Sequence, residues 1–157
     1  LRNGNYMIAA GNFGGKVLVT GNATLYVTRT ASVAFSGNDF IKIDPNASLK
    51  LYVGSPSARI GGNGVLNHSG SALDFQYYGL PSNTSLALGG NAEFRGTIYA
   101  PNADLTLNGG GNDVTDFIGS SITKTATMNG KFNFHYDEAL GRVGPSRGYI
   151  ITSWQEV

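Results

Sequence analysis

Glycoside cleavage needs two carboxyl groups at a defined separation, and three pairs in this chain lie close enough in sequence to be weighed for it: Asp39 with Asp44, Asp113 with Asp116, and Asp137 with Glu138. Asp113 and Asp116 sit in the glycine-rich stretch NGGGNDVTD and are the best placed, for acid–base work or for holding a cation. Asp39 and Asp44 fall where corner residues are expected. Asp137 opens a helical turn, where unpaired N–H groups favour an acid. Turn and cap roles account for all three pairs, so no catalytic residue is predicted and the chain is read as a non-enzyme. Metal chemistry has as little support. His68 and His135 stand alone, with no third ligand at a zinc-like spacing. GGNGVL (Gly61–Leu66) has the glycines of the calcium-binding G-G-x-G-x-D repeat but Leu66 where Asp is required, and GGGNDV (Gly109–Val114) fails at its fourth and sixth positions. No cofactor is expected.

Recognition is the other chemistry to weigh. Tyr26, Lys42, Lys50, Arg95 and Thr106 fall at outward strand positions, and aromatic rings beside cations on a flat face make a ligand strip of Tyr26, Lys50, Arg95 and Tyr99. Tyr77 and Tyr78 extend it if they face out. Ordinary solvated faces with cross-strand stacking are the plainer reading of the same residues. Threonine arrays of the ice-binding kind are not indicated, because TRT (Thr28–Thr30) and TKTAT (Thr123–Thr127) do not recur at the strand spacing. The sequons at Asn22, Asn46, Asn67 and Asn83 mostly restate a corner motif and are given no role. The 11 basic and 10 acidic residues are scattered singly, for a net charge of +1. That leaves no cationic stripe for nucleic acid. No apolar run is long enough to span a bilayer, so no membrane contact is expected. The absence of cysteine excludes disulfides and thiolate sites.

The elements behind these positions are legible as a repeat. GNATLYVT (Gly21–Thr28), GNDFIKID (Gly37–Asp44), PNASLKLY (Pro45–Tyr52), SNTSLALG (Ser82–Gly89), GNAEFRGT (Gly90–Thr97), PNADLTLN (Pro101–Asn108) and MNGKFNFH (Met128–His135) each carry Asn second, with apolar residues fifth and seventh except at Gly96. From Val17 to Leu51 the apolar pairs keep one phase: Val17/Val19, Leu25/Val27, Val33/Phe35, Ile41/Ile43 and Leu49/Leu51. Apolar residues two apart share one face of a strand. Each octet therefore reads as a strand of about four residues and a corner of about four, too short for a stable hairpin meander. Such units suit a solenoid, in which each rung buries its apolar column against the next. Three octets predict a three-sided rung of about 24 residues and five or six rungs, a rod roughly 25–30 Å long. The composition agrees: 157 residues with 23 Gly, 41% hydrophobic and only 13% charged. Gly and Asn tolerate positive φ and serve sharp corners, so Asn22, Asn38, Asn46, Asn83, Asn91, Asn102 and Asn129 are assigned to corners, with side chains able to hydrogen-bond along the stack.

The phase loosens between Gly54 and Pro81, where projecting loops are expected around Gly61–Gly64 and His68–Ser71; another is expected at Gly109–Asn112. The chain then changes character at HYDEALGRVGPSRGYIITSWQEV (His135–Val157), with a helical turn at Asp137–Arg142 and a final strand from Tyr149 to Gln155. Solenoid ends need atypical caps. Residues 1–157 are thus one domain, with rungs over about 1–134 and a cap over about 135–157. The abrupt opening LRNGNY is that expected of a domain excised from a longer protein.

The elements IYAPNA, FHYDEALGR and SWQEV resemble a Gly/Asn-rich right-handed parallel β-helix domain of bacterial envelope proteins, often found behind a PilX-like, type IV pilin-like N-terminal segment; the likeness spans roughly Gly21 to Val157. It implies an extracellular or cell-surface setting and carries over no catalytic residue. The expected role is a non-enzymatic structural or adhesive module of a surface or pilus-associated protein. Surface glycans, another envelope or pilus protein, or a second copy of the chain are the expected partners. A carbohydrate-binding or carbohydrate-cleaving β-helix is the alternative.

Overall fold

The computed structural model describes residues 1–90, 93–109 and 114–142. Strands β1 (Gly4–Ile8), β2 (Gly11–Phe13), β3 (Lys16–Val19), β4 (Asn22–Val27), β5 (Ala31–Phe35), β6 (Phe40–Ile43) and β7 (Ser48–Val53) follow one another with short corners between them. Then come β8 (Ser57–Ile60), β9 (Val65–Asn67), a 3-10 turn (Ala72–Asp74), β10 (Phe75–Gly79), β11 (Ser85–Gly90), β12 (Phe94–Gly109), β13 (Thr115–Asn129), β14 (Phe132–Tyr136) and a second 3-10 turn (Glu138–Arg142). All strand pairs are parallel. The fold is an all-β parallel solenoid of about five turns, with helix confined to two 3-10 turns among the described residues.

Three walls are traced by the pairing. The first stacks β1, β4, β7, β10, the first half of β12, the first half of β13, and β14. The second stacks β2, β5, β8, β11 and the second halves of β12 and β13. The third, β3-β6-β9, has only three strands among the described residues. The predicted inward pairs behave as the period of two requires: Val19, Leu25, Val27, Val33, Phe35, Ile41, Ile43, Leu49 and Leu51 are at most 3% exposed, and only Val17 is half-buried. Ala23, Ala47 and Ala103, which follow the corner asparagines, are also buried. A methyl group is what fits where the chain bends inward between stacked rungs.

Four expectations need correction. The rung is not a uniform 24 residues: Ala23 pairs with Leu49 and Leu49 with Phe75, so two central rungs span 26. Later ones are shorter, with Leu86 over Leu105 and Leu105 over Ala126. Strand and corner do not alternate throughout either. β12 and β13 run for 16 and 15 residues and cover two walls each, because the bend between them is a register shift at Ala100/Asp104 instead of a break. Pro101 sits in that bulge, where a missing N–H costs no ladder bond. Gly61–Gly64 does not project. It stacks on the corner below, Asn63 N donating to Asp39 O at 2.9 Å, and Gly61 and Gly64 are buried. Finally, Phe134 is 43% exposed, although the octet pattern places it inward. It ends an aromatic column in which Phe94 stacks on Phe117 and Phe117 on Phe134, both at 4.6 Å between centroids. The final strand expected at Tyr149–Gln155 and most of the Gly109–Asn112 loop lie outside the described residues.

Asparagine at the corners works mainly through its side chain. Asn46 (φ 67°) is the one non-glycine with positive φ among the described residues. Asn22 N donates to Asn3 Oδ1 at 2.7 Å and Ser48 Oγ donates to Asn22 Oδ1 at 2.9 Å, a chain of bonds running up the stack. Asn129 donates to Asn108 Oδ1 (3.2 Å) and Asn102 to Pro81 O (3.3 Å), while Asn38 offers its backbone carbonyl to Asn63. Asn83 is fully buried. It donates to Ser55 O at 2.8 Å and accepts from the Tyr77 hydroxyl at 2.9 Å, a closed polar pair inside the core. Asn91 lies outside the described residues.

Candidate binding face

The first wall alternates inward and outward residues, and its register turns scattered sequence positions into continuous outward rows. One row reads Met7–Tyr26–Tyr52–Tyr78–Tyr99–Ile122, each residue paired directly with the next. Beside it, two residues earlier along each strand, runs Asn5–Thr24–Lys50–Gln76–Thr97–Ser120. Four tyrosines thus stand one above another at the spacing of parallel strands, about 4.8 Å. The rings of Tyr52 and Tyr78 stack at 4.7 Å with an 11° interplanar angle. Tyr26 is 38% and Tyr99 50% exposed. Beside Tyr52, Tyr78 and Tyr99 the surface opens into an apolar groove of about 320 Å³, lined also by Leu80, Pro81, Pro101 and Asn102.

Of the positions expected on a ligand strip, Tyr26, Lys50 and Tyr99 share this face. Arg95 lies on the same wall but is held down: it pairs with Glu93 at 2.8 Å and donates to Gly70 O at 3.0 Å. Lys42 belongs to the third wall and Thr106 to the second. Tyr77 faces inward at 1% exposed, so of the adjacent tyrosines only Tyr78 joins the row. Tyr52 was not singled out in the sequence, though its signal was there. LYV occurs at Leu25–Val27 and again at Leu51–Val53, and an apolar–Tyr–small triplet recurs at Ile98–Ala100. Aligning GNATLYV with PNASLKLYV from the Asn hides the match, because the second copy carries two extra residues.

Burial raises the Tyr77 phenol well above its ordinary value of 10.0, against a smaller opposing effect of its bond to Asn83. Tyr78 is raised too, by desolvation first and by the nearby Tyr52 second. A phenol whose folded pKa is raised holds its proton more tightly in the native state, so its stabilisation is intact below pH 10 and lost as pH climbs above it. Chemical denaturation is therefore expected to show stability falling above pH 10, and spectrophotometric titration to show a tyrosine that ionises only on unfolding. A chain whose tyrosines all titrate together near 10 would contradict the burial of Tyr77.

The carboxylates weighed for catalysis are scattered. Asp39 accepts from Ser36 N at a corner, Asp44 lies 3.9 Å from Lys42, and Asp137 accepts from Ala139 N at the head of the last turn. Asp116 accepts from Asn133 Nδ2 (3.1 Å) and stands 3.4 Å from His135 Nε2, all on an exposed surface. Asp113 lies outside the described residues. His68 is exposed in its turn. Among the described residues no three His, Asp or Glu side chains gather as metal ligands would, and no helix is long and apolar enough to cross a membrane.

A family model described as a domain of unknown function, DUF7305, matches residues 1–143. No curated protein and no solved structure gives a significant match.

Proposed function

This chain belongs to the DUF7305 family, and from that premise and the solenoid we propose that it is a non-enzymatic structural and adhesive module of a bacterial surface or pilus-associated protein. The outward tyrosine row carries the reading. A solenoid whose faces served only as solvated walls has no need of four phenol rings in one outward row, which bring a large contact area at small conformational cost. The parallel ladders supply the other half, a stiff scaffold on which the row is held without loops that must be ordered on binding. The likeness of IYAPNA, HYDEAL and SWQEV to envelope-associated β-helices supports the surface setting.

Beads coated with the protein are expected to retain bacterial cells, and the double variant Tyr26→Ser/Tyr99→Ser to lower retention by about tenfold, the equivalent of ~1.4 kcal/mol. Lys42→Ala, on another wall, should leave retention unchanged. In parallel, a panel of polysaccharides incubated with the chain should release no new reducing ends. Release that is abolished by Asp113→Ala or Asp116→Ala would overturn the non-enzymatic assignment.

A further inference from the structure

We propose that the groove beside Tyr78 and Tyr99 is a saccharide subsite, which takes an extended neutral polysaccharide lying along the solenoid axis across successive rungs. The proposal rests on the adhesive reading and names its ligand. Tyr52 and Tyr78 cover each other's faces, whereas Tyr99, directly paired with Tyr78, stands 50% exposed, and Leu80, Pro81 and Pro101 complete the groove beside these rings. The groove's volume of about 320 Å³ falls at the lower end of the range for small-ligand sites, roughly 300–1,000 Å³. A ring face carries the negative side of the aromatic quadrupole, and the weakly positive axial C–H groups of a pyranose lie flat against such a face. The rim suits the sugar's hydroxyls. Asn102 lines the groove, Gln76 and Thr97 stand across the tyrosine row from it, two residues before Tyr78 and Tyr99, and the Tyr78 hydroxyl, donating to Gln76 Oε1 at 2.7 Å, keeps its lone pairs free to accept.

Charge selects among ligand classes. Across the tyrosine row and its polar neighbour, Lys50 is the single charged residue. Of the further cations flanking these rows, Arg95 is tied to Glu93 at 2.8 Å and Lys124 lies 3.8 Å from Asp104. One cation with no carboxylate on the two rows matches a neutral chain. A polyanion such as nucleic acid, or an anionic lipid surface, would call for a cluster of Lys and Arg. A stable protein partner needs about 800 Å² per side with an apolar centre, and here the apolar band is one residue wide with a polar row at its flank.

The test is calorimetric titration of the chain with cellohexaose, xylohexaose and chitohexaose, with polygalacturonate as the anionic arm. At least one neutral hexasaccharide is expected to bind with a Kd below 1 mM. Tyr99→Ala should raise that Kd about tenfold with the circular dichroism spectrum and Tm unchanged, and Lys42→Ala, on the third wall, should leave it unaffected. Binding of none of the hexasaccharides, binding indifferent to Tyr99→Ala, or a salt-sensitive preference for polygalacturonate would each overturn the proposal. The two readings also separate: cells retained through Tyr26 and Tyr99, but not released by any of these hexasaccharides, sink the saccharide subsite and leave the adhesive module standing.

Discussion

Leu51→Ala should cost about 2–5 kcal/mol, the range for truncating a fully buried leucine, and lower Tm by about 10 °C for a domain of this size. Leu51 is 0% exposed and sits in the middle of the first wall, between Leu25 on the rung below and Tyr77 on the rung above. Backbone ladders hold those rungs at fixed spacing, so neighbours cannot collapse into the space left behind. The cavity term is therefore retained nearly in full. A solenoid is stabilised by nearest-neighbour contacts between rungs, which makes a central rung the place where one deletion weakens the interface on both sides. Tyr77 also carries the buried bond to Asn83; a shift of its ring would loosen that pair as well. Thermal unfolding monitored at 218 nm measures the effect, and a change in Tm below about 3 °C would show that the rungs do relax.

Gly119→Ala should be as damaging but confined to one end. Gly119 (φ 143°) lies directly over Gly96 in the β12–β13 ladder, and a Cβ there would run into the Gly96 carbonyl oxygen. The substitution combines a backbone conformation that L-residues avoid with a steric overlap, together worth more than about 3 kcal/mol. Gly96 is constrained in turn, since a Cβ on it would meet the Phe75 ring at 2.7 Å. The two glycines form a column of small residues beside the phenylalanine stack. The rungs below Gly96 do not depend on Gly119, so the expected result is loss of hydrogen-exchange protection in β13 and β14 while β4 and β7 stay protected. Uniform loss of protection would mean that the stack unfolds as one cooperative unit. Asn102→Leu is the useful contrast, because it removes one exposed bond of 3.3 Å and should cost no more than about 1 kcal/mol.

Both results bear on function through stiffness. The row from Met7 to Ile122 takes one residue from each of six stacked strands, four of them tyrosines, and it stays a row only while the ladders hold their register. Leu51 and Tyr52 are adjacent on β7, one facing the core and the other the groove. A loosened rung would displace a ring of the face directly.

How much of this was legible from residue order depends on how local each cause is. Alternation of Leu25 with Tyr26 and Val27, or of Leu49 with Lys50 and Leu51, is a property of one strand, since successive side chains point to opposite faces whatever lies nearby. The inward or outward facing of those residues, the inward phase from Val19 to Leu51 and the parallel solenoid itself could therefore be read directly. The helical turn after Asp137 was legible for the same reason, and Asp137 indeed caps it. Rung length was not, because it is the sum of three corners, and a corner such as Gly61–Gly64 is set by the corner it stacks on.

The binding face shows the division most sharply. The sequence by itself determined that Tyr26 and Tyr99 point outward, because their immediate neighbours are apolar and must go in. Only the tertiary structure decided that Tyr26, Tyr52, Tyr78 and Tyr99 form one row, that Arg95 is tied to Glu93, and that Lys42 and Thr106 stand on other walls. Which side a residue takes is fixed by a two-residue period. Which residue lies above it is fixed by the number of residues spent turning the corners, here 26, 26 and then 21, and that number is settled only when one rung packs on the next.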